Sequence, residues 1–421
     1  MSLWHIAWAY LWNRKLTTCL TIMSVALAVG LISSVLSLRQ QLEQRFAEEG
    51  QAFDLVVGPK GSPLSLVLGS VYFMDSAIGR TPLHVYEDLL KDKDFVKAAF
   101  PIGLGDTYGG FRIVGTTKEL LDHEWKGFSG EVRRPFTLEE GVAFDKPREA
   151  VVGAVAARQL GLSLGDTFES VHGSFAISED LREFDHAEHP YKVVGILEPS
   201  GSPFDRAIYC SIESIWEAHG HGAPDHGDDH ADDAELDWSN SVSSVLVQLH
   251  SAAQRFEYEG WINENTDAMA AVPINVIKDF FRDFLDPIKG LMMAVGYLVV
   301  IISAISILIG LYLSIMQRKR DLAIMRALGA SSYEIFGAVI IEAFWVTTLG
   351  IAVGWLFGNV VTYILGLKLA HEYGLVVTPF GLSSEEIRAF ATVALVGLVA
   401  GILPAWQAYN SDVAHDLADR Q

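Results

Sequence analysis

The stretch GLMMAVGYLVVIISAISILIGLYLSIM, residues 290–316, runs for 27 residues without a charged side chain. A helix rises 1.5 Å per residue, so a helix of this length exceeds the hydrocarbon core of a bilayer, which is about 30 Å thick. Three further apolar runs, at 16–38, 335–367 and 389–406, are also long enough to cross. The sequence therefore predicts a membrane protein with four transmembrane α-helices.

The segment at 39–289, between the first and second predicted spans, has a different composition. Short β-type runs separated by turn residues occur at 53–57, 96–100, 111–115, 150–152, 191–197, 206–210 and 242–249. Helical patterns interrupt them and also continue from both neighbouring spans. We therefore expect a large mixed α+β extracytoplasmic domain with stalk helices at both ends and an inserted subdomain at about 139–212.

The formal charge of -21 belongs entirely to this segment, because the rest of the chain holds nine acidic and nine basic residues. An acidic domain repels nucleic acid, so we expect no nucleic-acid partner.

Basic residues flanking the spans predict the orientation. They are Arg14 and Lys15 before the first span, and Arg318, Lys319, Arg320 and Arg326 between the second and third. We therefore expect a multi-pass protein of the bacterial cytoplasmic (inner) membrane with both termini in the cytoplasm. The loop at 317–334 and the tail at 407–421 are then cytoplasmic, while 39–289 and the short loop at 368–388 lie outside.

The first fifteen residues carry Trp4, Trp8 and Trp12 at a spacing of four. Tryptophan prefers the headgroup region of a bilayer. Residues 1–15 therefore predict a helix that lies along the cytoplasmic interface before the first span.

The cytoplasmic loop reads QRKRDLAIMRALGAS from residue 317 to residue 331. Residues 320–328 form helix readily, Gly329 is a natural stop, and Ser331 with Glu334 makes a capping box for the next helix. An apolar row with a charged fringe predicts a helix that docks a cytoplasmic partner; the alternative is a loop helix held down by its own leucines. The candidate docking residues are Arg320, Asp321, Leu322, Met325, Arg326, Leu328 and Gly329.

Glu342 lies within the third predicted span. An intramembrane charge can mark a functional site. Because Glu342 is only about two turns inside, we favour a structural role in which it reaches the cytoplasmic face or pairs with Arg326.

The tract HGHGAPDHGDDHADD, residues 219–233, combines four histidines with five aspartates. Imidazole and carboxylate groups are good zinc ligands, and so polar a tract cannot form a core. The alternatives are weak zinc binding and a functionless acidic insert. The candidate ligands are His219, His221, His226, His230, Asp225 and Asp229.

Three stretches resemble the permeases of MacB/LolC/FtsX-type (type VII) ABC transporters. They are NRKLTTCLTIMSVALAVG at 13–30, RKRDLAIMRALGAS at 318–331 and GILPAWQAYNSDVAHDL at 401–417. The resemblance implies a homo- or heterodimer of permeases bound to two ATPase subunits, with the cytoplasmic loop as the coupling helix. It further implies mechanotransmission, in which ATP hydrolysis in the cytoplasm moves the outer domain.

MacB carries its nucleotide-binding domain on the same chain, whereas this sequence has no GxxxxGK[ST] loop. We therefore expect a non-catalytic subunit that binds no cofactor directly, with ATP and Mg²⁺ on a separate ABC ATPase.

Three functions stay open. The first is export or extraction of a lipoprotein, peptide or small molecule. The second is FtsX-like regulation of a periplasmic partner, and the third is a zinc-linked transport or sensing system.

Overall fold

The structure is a computed structural model of the chain and describes residues 3–74, 79–127, 130–172, 190–220, 240–373, 377–378 and 380–410. The α-helices are α1 (Leu3–Asn13), α2 (Lys15–Glu49), α3 (Pro63–Ser70), α4 (Leu83–Lys91), α5 (Ala154–Leu160), α6 (Ile212–Gly220), α7 (Arg255–Asn265), α8 (Pro273–Phe280), α9 (Asp286–Gln317), α10 (Lys319–Ala327), α11 (Ser332–Tyr373) and α12 (Ser384–Tyr409). The β-strands are β1 (Leu55–Pro59), β2 (Thr81–Pro82), β3 (Val96–Tyr108), β4 (Phe111–Thr116), β5 (Trp125–Lys126), β6 (Val132–Arg133), β7 (Leu138–Gly141), β8 (Glu149–Val152), β9 (Thr167–Phe168), β10 (Val171–His172), β11 (Tyr191–Leu197), β12 (Ala207–Ser211), β13 (Ser241–Val242), β14 (Ser244–Leu249) and β15 (Ala268–Ala271).

The chain divides into two compact units. The membrane unit comprises Met1–Gln41, Phe284–Gly366 and Val377–Gln421, and the α+β unit comprises Leu42–Asp283 and Leu367–Val376. Within the described residues, four helical stretches are long and apolar enough to cross a membrane: Lys15–Glu49, Pro273–Gln317, Ser332–His371 and Ser384–Tyr409. The predicted fold class, four such helices with a mixed α+β domain between the first and second, is confirmed.

The stalks expected at both ends of the α+β domain are helical. Helix α2 continues past the predicted span to Glu49, and helix α8 leads through a π-helical turn at Phe281–Leu285 into α9. Both helical stretches therefore contribute residues to each of the two units.

In the membrane unit, α2 lies close against α11 because α11 has glycine at every fourth position, at Gly350, Gly354 and Gly358. A Cβ atom at Gly354 would lie 2.7 Å from the carbonyl oxygen of Ala26, and one at Gly358 would lie 2.9 Å from that of Gly30. Small residues allow membrane helices to approach this closely, and the packing between them drives their association.

Helix α12 is longer than the predicted span at 389–406. Ser383 caps its start, because the Ser383 hydroxyl accepts from the N–H of Glu386 at 3.1 Å and the Glu386 carboxylate accepts from the N–H of Ser383 at 2.9 Å. Glu386 is buried and also accepts from the Ser33 hydroxyl at 2.6 Å. Pro404 lies inside the helix, which continues to Tyr409, beyond the end predicted at residue 406.

In the α+β unit, eleven strands of the described residues join in one sheet whose main order is β15-β1-β14-β3-β4-β12-β8-β11-β7. The long strand β3 organises the sheet: its first half pairs with β14, with Phe100 opposite Leu246, and its second half pairs with β4, with Leu104 opposite Val114. All seven β-type runs predicted from the sequence fall on strands of this unit.

Two hydrophobic cores cover different parts of this sheet. The first core surrounds Leu55, Val57 and Val247, and the second surrounds Ile113 and Ile208. The second core combines residues of 139–212, where an inserted subdomain was predicted, with residues of β4, which precedes that range. Strand pairing explains the difference, since β4 lies beside β12 in parallel register.

Candidate functional site

The helix α10 lies in the loop between α9 and α11, and both of its predicted boundary signals are present. Gly329 has a φ of 103°, a conformation that favours glycine, and the N–H of Ala330 donates to the carbonyl of Met325 at 3.0 Å. The Ser331 hydroxyl accepts from the N–H of Glu334 at 3.3 Å, and the Glu334 carboxylate accepts from the N–H of Ser331 at 2.7 Å. The glycine stop and the capping box are thus confirmed.

One face of α10 packs into the membrane unit. Leu322 and Ala323 are buried, and Leu322 belongs to the hydrophobic core of the four long helices. Met325 is half-buried, and its sulfur accepts from the Tyr10 hydroxyl of α1 at 3.9 Å. Leu322 and Met325 therefore fix α10 to its own chain, which makes Leu322 unavailable to a partner in this structure.

The opposite face of α10 is open. Arg320, Asp321 and Gly329 are exposed, and Leu328 has 84% of its surface exposed. Ile324, which is 42% exposed, also belongs to this face, although it is not among the predicted docking residues. Its position one helical turn before Leu328 places it on the same face and could have identified it from the sequence.

Arg318 and Glu342 form a buried ion pair beneath α10. An Arg318 Nη donates to the Glu342 carboxylate, and the Ser314 hydroxyl donates to the same carboxylate at 3.2 Å. The Arg318 guanidinium lies 4.0 Å from the ring centre of Tyr10, within the range of a cation–π interaction. Because Arg318 immediately precedes α10, the pair ties the start of this helix to α11.

Two structural roles were expected for Glu342, reaching the cytoplasmic face or pairing with Arg326; its ion-pair partner in the structure is Arg318 instead. Arg326 is half-buried, and it donates to the Ser332 hydroxyl at 3.0 Å. Arg318 instead lies one helical turn after Ser314, so both side chains lie on the face of α9 that meets Glu342.

Exposed aromatic side chains lie at the adjoining ends of α11 and α12. The ring centres of Tyr333 and Tyr409 are 5.4 Å apart, and those of Tyr409 and Trp406 are 5.9 Å apart. Tyr333 is 76% exposed and Trp406 is 59% exposed. This end of the membrane unit therefore presents a second apolar surface in addition to the open face of α10.

The histidine and aspartate tract is described only at its start. The side chain of His219 is buried: its Nδ1 lies 2.8 Å from the Ile215 carbonyl oxygen and its Nε2 lies 3.3 Å from a carboxylate oxygen of Asp106. Both ring nitrogens thus already face protein oxygens, so His219 would have to leave Asp106 to bind zinc. The other five candidate ligands, at 221, 225, 226, 229 and 230, lie outside the described residues, and zinc binding stays a prediction.

Two family models match the chain. One described as a MacB-like periplasmic core domain matches residues 18–264, and one described as the C-terminal part of an FtsX-like permease matches residues 293–413. Together they cover most of the α+β unit and most of the membrane helices.

Curated relatives agree with these matches. The chain is 21% identical over 419 residues to the "Macrolide export ATP-binding/permease protein MacB" of Nitrosomonas europaea, covering 96% of this chain and 57% of that protein. It is 27% identical over 311 residues to the protein of the same name from Marinobacter nauticus, covering 69% of this chain and 42% of that protein. The chain thus spans about half the length of these relatives.

Among solved structures, the periplasmic region of MacB from Actinobacillus actinomycetemcomitans aligns with 56% of this chain and 97% of that chain. The TM-score is 0.33 at 9% identity.

Proposed function

The chain belongs to the family of MacB-like ABC permeases, and we propose that it is the membrane subunit of a transporter driven by an ATPase that binds ATP and Mg²⁺. The observation that carries the proposal is the geometry of α10. Leu322 and the Arg318–Glu342 pair fix this short helix to the membrane unit, while Ile324 and Leu328 are exposed. An apolar surface on a fixed helix is suited to receive force from a partner that changes shape.

We propose that the ATPase docks on the open face of α10, formed by Arg320, Asp321, Ile324, Leu328 and Gly329. Apolar anchors at the centre of an interface with charged residues around them are typical of protein–protein docking sites. Met325 and Arg326, which are half-buried, would act by holding the helix in place. Leu322 is buried, so it would also act by holding the helix in place.

Mechanotransmission is the proposed mode of action. Helix α2 extends for 35 residues and the helical stretch at Pro273–Gln317 for 45, so each can carry displacement from the membrane unit into the α+β unit. In the proposed orientation both termini and α10 are in the cytoplasm of a bacterium, and the α+β unit lies in the periplasm. A second copy of the permease would complete the assembly, as the resemblance of the sequence to type VII ABC permeases implies.

The proposed substrate is a lipoprotein, peptide or small molecule that the α+β unit meets outside the membrane. The matched relatives are named for macrolide export. A macrolide is therefore one small molecule to test.

Cysteine labelling tests the orientation. In a chain with Cys19 and Cys210 replaced by Ser, S62C in the α+β unit and L328C on α10 provide two exposed sites. A membrane-impermeant maleimide should label S62C from the periplasm, and L328C only after the inner membrane is opened. Labelling of L328C from the periplasm would contradict the proposed function.

A further inference from the structure

A polar crevice opens between α2 and α9 next to the ion pair of Arg318 and Glu342. Its volume is about 20 Å³, which is room for about one water-sized group. The polar residues that line it are Arg14, Thr17, Thr18, Thr21, Ser314 and Glu342.

The charges around this crevice do not balance. Arg14 and Arg318 are two guanidinium groups near the single carboxylate of Glu342, and that carboxylate already accepts from Arg318 and Ser314. Arg14 forms no ion pair with any residue that the structure describes. Burial first and repulsion from Arg318 second lower the pKa of Arg14, and attraction to Glu342 only opposes them. Among the residues that the structure describes, one half-buried positive charge thus has no counter-ion.

The threonine hydroxyls in the crevice do not supply other donors. Thr17 donates to the Arg14 carbonyl at 3.2 Å, Thr18 to the Leu11 carbonyl at 3.2 Å, and Thr21 to the Thr17 carbonyl at 2.9 Å. The guanidinium of Arg14 is therefore the group with N–H donors to offer to an incoming anion. A guanidinium presents these donors in a planar fork that matches phosphate oxygens.

The position of Arg14 fixes the kind of anion. It lies between α1 and α2, immediately before the helix that enters the membrane, and Trp12 of α1 is 63% exposed. Exposed tryptophans at a span boundary mark the headgroup level of a bilayer, where lipid phosphates are concentrated. Basic pockets between membrane helices at this depth bind anionic headgroups.

We propose that this crevice binds the phosphate group of an anionic phospholipid, with Arg14 as the charged donor. One phosphate oxygen would enter the crevice while the rest of the headgroup stays at its mouth. The ligand would neutralise the surplus charge beside Arg318, at the base of the loop that carries α10. The site needs only that α2 enters the membrane near Lys15, so it does not depend on ATPase docking.

The test uses the full chain in detergent micelles and the R14Q variant. Native mass spectrometry counts the molecules of phosphatidylglycerol and of phosphatidylcholine retained after detergent exchange. K15Q is the matched control, because Lys15 carries the same charge one residue away but is exposed and lies over the Trp12 ring. We expect wild type and K15Q to retain phosphatidylglycerol preferentially, and R14Q to retain about fivefold less, as expected for one basic residue near an anionic headgroup.

Equal retention by R14Q and wild type, or an equal loss in K15Q, would overturn the proposal. A parallel titration with inorganic phosphate tests whether the site binds a lipid phosphate or free phosphate ions. Displacement of phosphatidylglycerol by millimolar phosphate would assign the site to a soluble anion and overturn the lipid assignment. If R14Q does not fold, R14K decides: its ammonium lacks the planar fork, so retention should fall, and unchanged retention contradicts the proposal.

Discussion

Arg318 and Glu342 lie 24 positions apart in the chain and form an ion pair in which both side chains are more than nine-tenths buried. The pair joins the start of α10 to α11, so the position of α10 depends on a charge interaction inside the membrane unit. A buried pair of this kind is costly to break, because removal of one partner leaves the other charge without compensation.

The first prediction follows from this relationship. R318M alone should destabilise the detergent-solubilised protein by about 3–5 kcal/mol, because Glu342 is left buried and charged. The double variant R318M/E342M should recover much of that loss, since apolar side chains of similar volume replace both charges. Thermal unfolding of the four proteins of this cycle provides the measurement. A double variant less stable than R318M would show that Glu342 stabilises the fold mainly through contacts other than Arg318, such as its hydrogen bond with Ser314.

The second prediction concerns the glycines of α11. G354A should destabilise the membrane unit by about 1–3 kcal/mol, because the added methyl group would lie 2.7 Å from the Ala26 carbonyl oxygen and from Val29 Cβ. The matched control is G290A in α9, where an added Cβ meets no atom within 4 Å. Thermal unfolding in detergent should show a lower Tm for G354A and an unchanged or higher Tm for G290A. Equal effects would mean that α2 and α11 do not pack through this glycine.

Much of the architecture is readable from sequence because its signals are local. The charge-free run at 290–316, the alternation at 191–197 and the capping box of Ser331 and Glu334 each depend on neighbouring residues. Helix ends were less accurate, as α12 shows: Glu386 is a charged residue that looks like part of a loop, yet Ser33 of another helix buries and satisfies it.

The site was harder to predict because it depends on which helices pack together. The apolar row of α10 contains Leu322 and Leu328, and nothing in the sequence states that the first packs inward while the second is exposed. The pairing of Glu342 with Arg318 instead of Arg326 also depends on how the helices pack. Both arginines flank the span, and only the packing of α9 on α11 selects one.

The third prediction concerns the pH dependence of the α+β unit. His123 is buried beside the Phe53 ring, with ring centres 4.7 Å apart, and its Nε2 lies 2.7 Å from the Ala52 carbonyl oxygen. Burial lowers the pKa of His123 below its usual value of 6.5. The unfolded chain therefore binds a proton more readily, so the unit should lose stability as pH falls below about 6.5.

Unfolding of the full chain measured between pH 5 and pH 8 checks this dependence. H123F should reduce the difference in stability between the two pH values, because it removes the titrating group while keeping an aromatic ring beside Phe53. An unchanged difference in H123F would assign the acid sensitivity to other groups.

The fourth prediction concerns zinc at the histidine and aspartate tract. Calorimetry of the full chain should show modest binding that fades below about pH 6.5, because zinc binds neutral imidazole. The triple variant H221A/H226A/H230A should lose this binding. H219A should keep it, since His219 is committed to Asp106 and Ile215. If wild type shows no heat of zinc binding, or if the triple variant shows the same heat as wild type, the tract is an acidic insert that does not bind zinc through these histidines.

The central claim is that the open face of α10 receives an ATPase. The direct measurement is the ATP hydrolysis that co-purifies with the full chain from its own membranes, in wild type and in the I324E/L328E variant. The control is L164E, because Leu164 is an exposed leucine of the α+β unit, 40% accessible. New carboxylates within an apolar contact should cost enough to lower the co-purifying activity at least about tenfold. L164E should retain the activity, and the same activity in I324E/L328E as in wild type would contradict the account.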